Sequence, residues 1–480
     1  MLATSGGRRG YGGWPQPGRR VYVEAMTSPT HLDLDVAVLG WGKAGKTLAG
    51  ALARAGRHVV MVEQSSQMYG GTCINIGCIP TKSLVTSAER TRPADDHVAS
   101  FKEAVTRRDT LVTRLNAANF AMLHDLDTVT VVDGVARFTG RHTVEVTGGE
   151  DRLVITAPVI IINTGATPRR LDVPGADDPR VLDSTTLQHV DPRPARLVVV
   201  GGGPVGLEFA SMFAKFGTRV TLLARGPRLL PTEDEDVAAS VTAALADEGV
   251  ELLVDAGATR FTDEGGDLVV HHDKGRVVTD MALVAVGRAP AIDGLGLEAA
   301  GIRASGGAVE VDDRLRTNVE GVYAVGDVNG GPQQTYVSYD DHRVVLDQLL
   351  GSGARSTTDR VAVPTTIFMT PPLARVGLSE TAAAPSRHQV AVYAKPVAKI
   401  AVMPRPKILG ETHGLIKVVV DAETDQVLGA ALHSTDAQEV VNLLALAMRA
   451  GVTAAQLRDG IWTHPSSTEA LNEVLASRVR

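Results

Sequence analysis

The chain has 480 residues, 44% of them hydrophobic and 21% charged, with a formal net charge of −7, the profile of an ordinary globular protein of about two to four domains. The acidic balance gives no sign of a basic nucleic-acid-binding surface. No run of about 18 apolar residues occurs, which excludes a helical membrane span, and two cysteines in so long a chain argue against a secreted disulfide scaffold.

Residues 1–33 are expected to form a disordered extension: the stretch up to Arg20 is rich in Gly, Pro and Arg and lacks an apolar period. Arg8-Arg9 and Arg19-Arg20 suggest an export signal, but no apolar stretch of useful length follows either pair. Met26 offers an alternative start, which an N-terminal mass of the native protein beginning at Met1 would remove.

Asp35-Val36-Ala37-Val38-Leu39 reads as a strand ending in Gly40-Trp41-Gly42-Lys43-Ala44-Gly45, followed by a helical pattern and a second strand, Val59 to Glu63. Gly40 allows a tight turn, Gly42 lets a diphosphate approach the backbone, and Gly45 lets helix pack on strand. The phosphates would sit at the helix N-terminus. Glu63, 18 residues beyond Gly45, is placed to accept from ribose hydroxyls.

Gly70-Gly71-Thr72-Cys73-Ile74-Asn75-Ile76-Gly77-Cys78-Ile79-Pro80-Thr81-Lys82 holds both cysteines. At 3.6 residues per turn, side chains five apart are not stacked on one helix face, but an irregular turn at a helix start can bring the sulfurs within bridging distance. A helix N-terminus also favours thiolate over thiol. The local reading is a redox-active dithiol; the alternative is two buried structural thiols. A zinc site lacks a second Cys pair or a nearby His at ligand spacing, and no metal ligands are assigned.

Ile161-Ile162-Asn163-Thr164-Gly165-Ala166 reads as a strand ending in a crossover. A second strand–glycine–helix–strand unit then runs from Arg196 to Val200, through Gly201-Gly202-Gly203-Pro204-Val205-Gly206, to Arg219-Val220-Thr221-Leu222-Leu223. Here the 18-residue offset lands on Ala224, with Arg225 following. Losing the acid removes repulsion toward a 2′-phosphate and Arg225 can pair with one, so NADPH is expected over NADH. Val284 to Arg288, with Gly287, mirrors the first crossover, and Gly321 to Asp327 gives another strand ending in Gly326-Asp327. Beyond about Val361, strand-like runs at 390–393, 415–420 and 427–432 and helical stretches at 440–450 and 468–476 predict an α+β domain. The fold class is therefore α/β, two Rossmann-type dinucleotide-binding domains followed by a C-terminal α+β domain.

In this order the motifs resemble the flavoprotein disulfide reductases, the class I pyridine nucleotide–disulfide oxidoreductases, over about residues 34–480; His464-Pro465-Ser466-Ser467-Thr468-Glu469 completes the set. The resemblance implies an FAD-binding domain at 34–170 and 287–360, an NAD(P)-binding domain at 171–286, and a dimerisation domain at 361–480 that holds a homodimer. It implies that Cys78 faces the flavin in a charge-transfer pair and that Cys73 is the outer thiol that meets substrate. Lys82 would stand near the flavin and pair with Glu208; Glu469 would orient His464, the acid/base serving the partner's Cys73. Gly71, Thr72, Ala136, Thr164, Gly165, Gly326 and Asp327 would join Gly40, Gly42, Gly45, Glu63 and Lys82 around FAD. Gly201, Gly203, Gly206, Arg225 and Gly287 would hold the nicotinamide cofactor. A cytoplasmic location goes with this reading.

The acceptor is read from departures. Thr81 replaces the Lys usual in glutathione reductases, and lipoamide dehydrogenases usually carry Ser there and an acid at Ala224. Pro371-Pro372 stands where they have Pro-Glu. No cysteine follows Cys78, unlike the C-terminal pair of mercuric reductases; mycothione reductases share Pro80-Thr81-Lys82. Residues 42–49, 68–78, 209–214 and 368–373 resemble the reactive-chlorine-resistance (RclA-type) branch, implying reduction of a small oxidant or thiophilic metal ion, of the copper(II) or hypothiocyanous acid type. Pro204 departs from the Tyr usual in that branch. The alternatives are reduction of mycothione disulfide, lipoamide or mercuric ion, and, outside enzymes, a flavin- or metal-binding scaffold.

Overall fold

The computed structural model describes residues 20–21, 30–148, 151–386 and 388–480, with the backbone alone at 20–21 and 151. Helix α1, Lys43–Arg54, follows the first glycine turn and buries Ala44, Leu48, Ala49 and Leu52 along one stripe. The cysteine segment forms two helices, α2 (Gly71–Asn75) and α3 (Cys78–Arg90), broken at Gly77, whose φ and ψ of −119° and −111° are outside the helical region. The long α4, His97–His124, comes next.

The chain divides into two compact units. The first comprises the described residues up to Asn75, Thr113–Ala166 and Pro290–Thr357. Its main sheet has six strands in the order Arg20–Val21, Val129–Asp133, Val59–Glu63, Val36–Leu39, Val159–Ile162, Val322–Ala324, every neighbouring pair parallel. Successive side chains point to opposite faces. Ala37, Leu39, Val60, Val62, Ile160 and Ile162 enter one core, and Val36, Val38, Val59, Met61 and Ile161 enter the other beside α1. Burial on both faces is why these strands read as continuous apolar runs. A four-stranded sheet, Thr30–Asp33, Asp151–Thr156, Thr143–Gly148, Val135–Gly140, completes the unit's main structure.

The expected unstructured stretch 1–33 is corrected at two places. Thr30–Asp33 pairs in parallel with Leu153–Thr156, and Arg20–Val21 pairs with Val131–Val132. Both add to an existing strand edge, whose unpaired N–H and C=O groups accept a short segment whatever its composition. The rest of that expectation lies outside the described residues.

The second unit comprises Ile76–Val112, Thr167–Ala289 and Thr358–Arg480. It contains a five-stranded parallel sheet ordered Val181–Leu182, Met281–Val284, Arg196–Val200, Arg219–Leu223, Glu251–Leu253. Helix α5, Pro204–Lys215, packs on it and on α3 through Leu207, Phe209, Phe213, Leu84 and Ala88, and α6, Glu235–Asp247, follows the second glycine unit. Residues 358–480 supply an antiparallel sheet of five strands, Thr365–Ile367, Leu373–Gly377, Val427–His433, Leu415–Asp421, Val390–Pro396, covered by the helix Ala437–Ala450 through Val440, Val441, Leu444 and Ala445. Among the described residues no helix is long and apolar enough to cross a membrane.

Candidate functional site

In the first unit the glycine turn, the start of α2 and the end of the strand Val159–Ile162 converge. Gly40 has φ +98°, and a Cβ there would lie 2.4 Å from the Asn163 carbonyl oxygen, so only glycine fits. A Cβ at Gly42 would lie 2.4 Å from Asn163 Oδ1, and one at Gly45 would meet Asn163 Oδ1 at 2.7 Å and Val38 Cγ1 at 2.8 Å. Within the chain itself, Gly42 is thus required by the Asn163 carboxamide, where the motif alone suggested diphosphate clearance. Gly71, φ +71°, would clash with Gly42 Cα at 2.9 Å, and Gly326, φ +71°, with Ser338 Oγ at the same distance. This cradle of close-packed glycines, with no side-chain cap on α1, fits a diphosphate-bearing cofactor such as FAD.

Glu63 is buried and accepts from the Trp41 N–H at 3.0 Å and the Ser65 N–H at 3.3 Å. Burial pushes its carboxyl up to about 7 despite those bonds. The chain then passes Glu63, whose carbonyl accepts from Gly134 N–H at 2.9 Å, into the strand that carries Ala136. Thr164 gives its hydroxyl to the Ala291 carbonyl at 2.8 Å, and Gly165 faces open space. The Gly326 N–H donates to buried Asp341 at 2.6 Å, with Asp327 half-buried on the same turn. Thr72 and Cys73 are half-buried on α2.

In the second unit exposed Cys78 opens α3, and Lys82 lies one turn further on the same helix. Lys82 Nζ is 2.7 Å from Glu208 Oε2 on α5 and 4.9 Å from the centre of the Phe368 ring. The other oxygen of Glu208 accepts from the Phe368 N–H at 2.9 Å. The pair is well shielded, Glu208 at 8% exposure and Lys82 at 30%.

At the second glycine turn a Cβ on Gly201 would lie 2.4 Å from the Ala285 carbonyl oxygen and one on Gly206 only 1.9 Å from that of Gly201, whereas Gly203 faces open space, the room a diphosphate needs. Gly287, φ +106°, is exposed, and its carbonyl accepts from Arg169 N–H at 3.0 Å. The Arg228 guanidinium is consumed by the carbonyls of Leu230, Pro231 and Glu233. Arg225, exposed at the end of its strand, has no hydrogen bond or ion pair among the described residues.

His464 Nδ1 lies 2.9 Å from Glu469 Oε1, and Glu469 Oε2 accepts from the Ser466 N–H at 2.8 Å. Burial works against the Glu469 charge, but these bonds hold its carboxyl below the usual range. His464 is 71% exposed. The pair is formed within the chain and presented outward.

Three residues of the site escape motif reading. Asn163 clasps two elements, accepting from Gly45 N–H at 2.9 Å and donating to the Val325 carbonyl at 2.8 Å; an amide at a strand end beside Thr-Gly was its one signal. Phe368 carries no signal of its own beyond its place in the segment 368–373. Lys46, in the first helical turns of α1, is buried, which a lysine on an amphipathic helix does not announce.

The sequence model described as "Pyridine nucleotide-disulphide oxidoreductase" matches residues 34–341, and that of its dimerisation domain matches 363–475. The chain is 44% identical over 441 residues to "Probable pyridine nucleotide-disulfide oxidoreductase RclA" of Escherichia coli (strain K12), covering 92% of this chain and 98% of that one. It is 31% identical over 462 residues to a mercuric reductase of Bacillus cereus, covering 93% and 72%. It is 32% identical over 454 residues to a dihydrolipoyl dehydrogenase of Chlorobaculum tepidum, covering 92% and 96%. Among solved structures, the "Cu(II) complex of HOCl-induced flavoprotein disulfide reductase RclA from Escherichia coli" matches with a TM-score of 0.89 at 43% identity, covering 93% of this chain and 99% of that one.

Proposed function

Because the chain belongs to the pyridine nucleotide-disulphide oxidoreductase family and is a flavoprotein disulfide oxidoreductase, we propose that it uses NADPH to reduce a small oxidant or thiophilic metal ion through Cys73 and Cys78. The observation that carries this reading is the placement of Cys78 and Lys82 one turn apart on α3, with Lys82 ion-paired at 2.7 Å to Glu208 on α5. The helix that opens with Cys78 is thereby tied to the helix that begins at the second glycine turn.

FAD would be held by Gly40, Gly42, Gly45, Glu63, Gly71, Thr72, Ala136, Thr164, Gly165, Gly326, Asp327 and Lys82, and when bound it supplies two-electron transfer between nicotinamide and disulfide. Gly201, Gly203, Gly206 and Gly287 line the second nucleotide site. Arg225, unpaired beside small, buried Ala224, is the group that would receive a 2′-phosphate. The α3 N-terminus favours the Cys78 thiolate. Cys73 attacks the oxidant or delivers electrons to it, and His464, oriented by Glu469, takes and returns the Cys73 proton. In a homodimer that histidine serves the partner's thiol.

The RclA relative is described as HOCl-induced and as a Cu(II) complex, which favours an oxidant or copper(II) over a bulky disulfide. The mercuric reductase and dihydrolipoyl dehydrogenase relatives, at 31–32% identity, keep mercuric ion and lipoamide as the competing acceptors. The test is an anaerobic NADPH reduction followed by separate additions of copper(II), hypothiocyanite, lipoamide and mycothione disulfide. Re-oxidation by copper(II) or hypothiocyanite alone is expected, with NADPH outperforming NADH in kcat/KM. Cys73→Ser is expected to abolish turnover while retaining FAD; full turnover in that variant refutes the dithiol route.

A further inference from the structure

We propose that Lys46 is a positioning residue for the dithiol: a buried ammonium beside the Cys73 helix that keeps the reduced Cys73 sulfur as thiolate. The proposal rests on the reading of Cys73 as the outer thiol. Lys46 is 6% exposed. Its Nζ donates to the Gly70 carbonyl at 3.4 Å and to Asn119 Oδ1 of α4. Gly70 immediately precedes α2, so the lysine grips the first residue before the helix that carries Cys73.

Both partners are neutral, and among the described residues no carboxylate stands within ion-pair distance of Lys46. The residues beside those partners, Tyr69 and Phe120, pack with Trp41 at ring separations of 4.6 to 6.4 Å, and the Tyr69 hydroxyl is spent on Asp133 at 2.6 Å. A buried cation in such surroundings needs an anion. Two charged or titratable groups act on it: Lys43 on its own helix repels it, and Cys73 on α2 attracts it when ionised. Burial and Lys43 together bring the ammonium down to about 8, so near neutrality it is still protonated and available to the thiolate. The attraction is mutual, and the same charge that needs the thiolate favours its formation.

The test is alkylation of the NADPH-reduced holoenzyme by iodoacetamide from pH 5 to 9, with the label on Cys73 quantified by mass spectrometry. Lys46→Met is expected to slow Cys73 labelling at pH 7 about tenfold and to move the labelling midpoint up about one pH unit, with FAD content unchanged. Lys46→Arg should stay close to the parent. Asn119→Asp, which supplies the missing carboxylate while keeping the lysine, should move the midpoint in the same direction as Lys46→Met. Superimposable profiles for Lys46→Met and the parent overturn the proposal. Loss of FAD from Lys46→Met with an unmoved thiol profile overturns it too, and assigns the lysine to the flavin diphosphate. If the parent enzyme, alkylated at Cys73, still reduces its acceptors, the reading of Cys73 fails while the labelling profiles still decide on Lys46.

Discussion

Glu208 uses both carboxylate oxygens, one toward Lys82 and one for the Phe368 N–H. Glu208→Gln keeps the shape and one acceptor but removes the charge that anchors Lys82. NADPH-driven turnover is expected to fall about tenfold, equivalent to ~1.4 kcal/mol of barrier, with the fold retained. Glu208→Ala also strands the Phe368 N–H and a largely shielded ammonium, and is expected to cost about 1–3 kcal/mol of stability, read from urea midpoints. The Lys82–Glu208 pair was legible in the sequence only through resemblance, because 126 residues separate its members. Spacing says nothing about contacts at such a distance. Phe368 shows the converse: an aromatic in a loop segment signals packing in general, and only the folded chain turns its ring to Lys82.

At the scale of elements, the strand Val427–His433 meets α6 through His433, which is fully buried and bonded at 2.8 Å to Ser240 Oγ. Burial, with His413 adding to it, depresses this imidazole from 6.5 to about 4. The folded state therefore resists protonation that the unfolded chain accepts. The stability contribution is complete above pH 6.5 and is lost as pH falls toward 4, to a total of ~3 kcal/mol. Urea unfolding of the parent and of His433→Gln across that window should show a steeper decline in the parent. Lys417 is a second internal tie, buried on the strand Leu415–Asp421 between Asp234, Asp236 and Glu380 at 2.6 to 3.1 Å. Lys417→Met leaves these carboxylates facing one another and is expected to destabilise by about 3 kcal/mol, measured by the same unfolding.

For the whole molecule, the dimerisation-domain match at 363–475 and the outward presentation of His464 point to assembly. Ile461, three residues before His464, is fully exposed, an unusual place for a large aliphatic unless a partner covers it. Ile461→Glu is expected to shift sedimentation from dimer toward monomer and to make specific activity rise with protein concentration. Unchanged sedimentation would remove Ile461 from the interface. The two glycine turns lie in different compact units, each built on hydrophobic cores of its own.

The strands, glycine turns and cysteine helices were legible along the chain because each depends on local chemistry: doubly buried parallel strands need unbroken apolar runs, and left-handed or crowded backbone needs glycine. The sequence by itself therefore determined the two nucleotide-binding units, their order and the cysteine segment between the two glycine turns. The tertiary structure alone decided that Asn163 fills the space beside Gly42, that Arg225 rather than Arg228 keeps an unspent guanidinium, that Lys46 is buried without a carboxylate, and that residues 30–33 add to a sheet. Each of these depends on which distant backbone or side chain arrives within a few ångströms, and burial and pairing at that range are set by the packed fold rather than by neighbours in sequence.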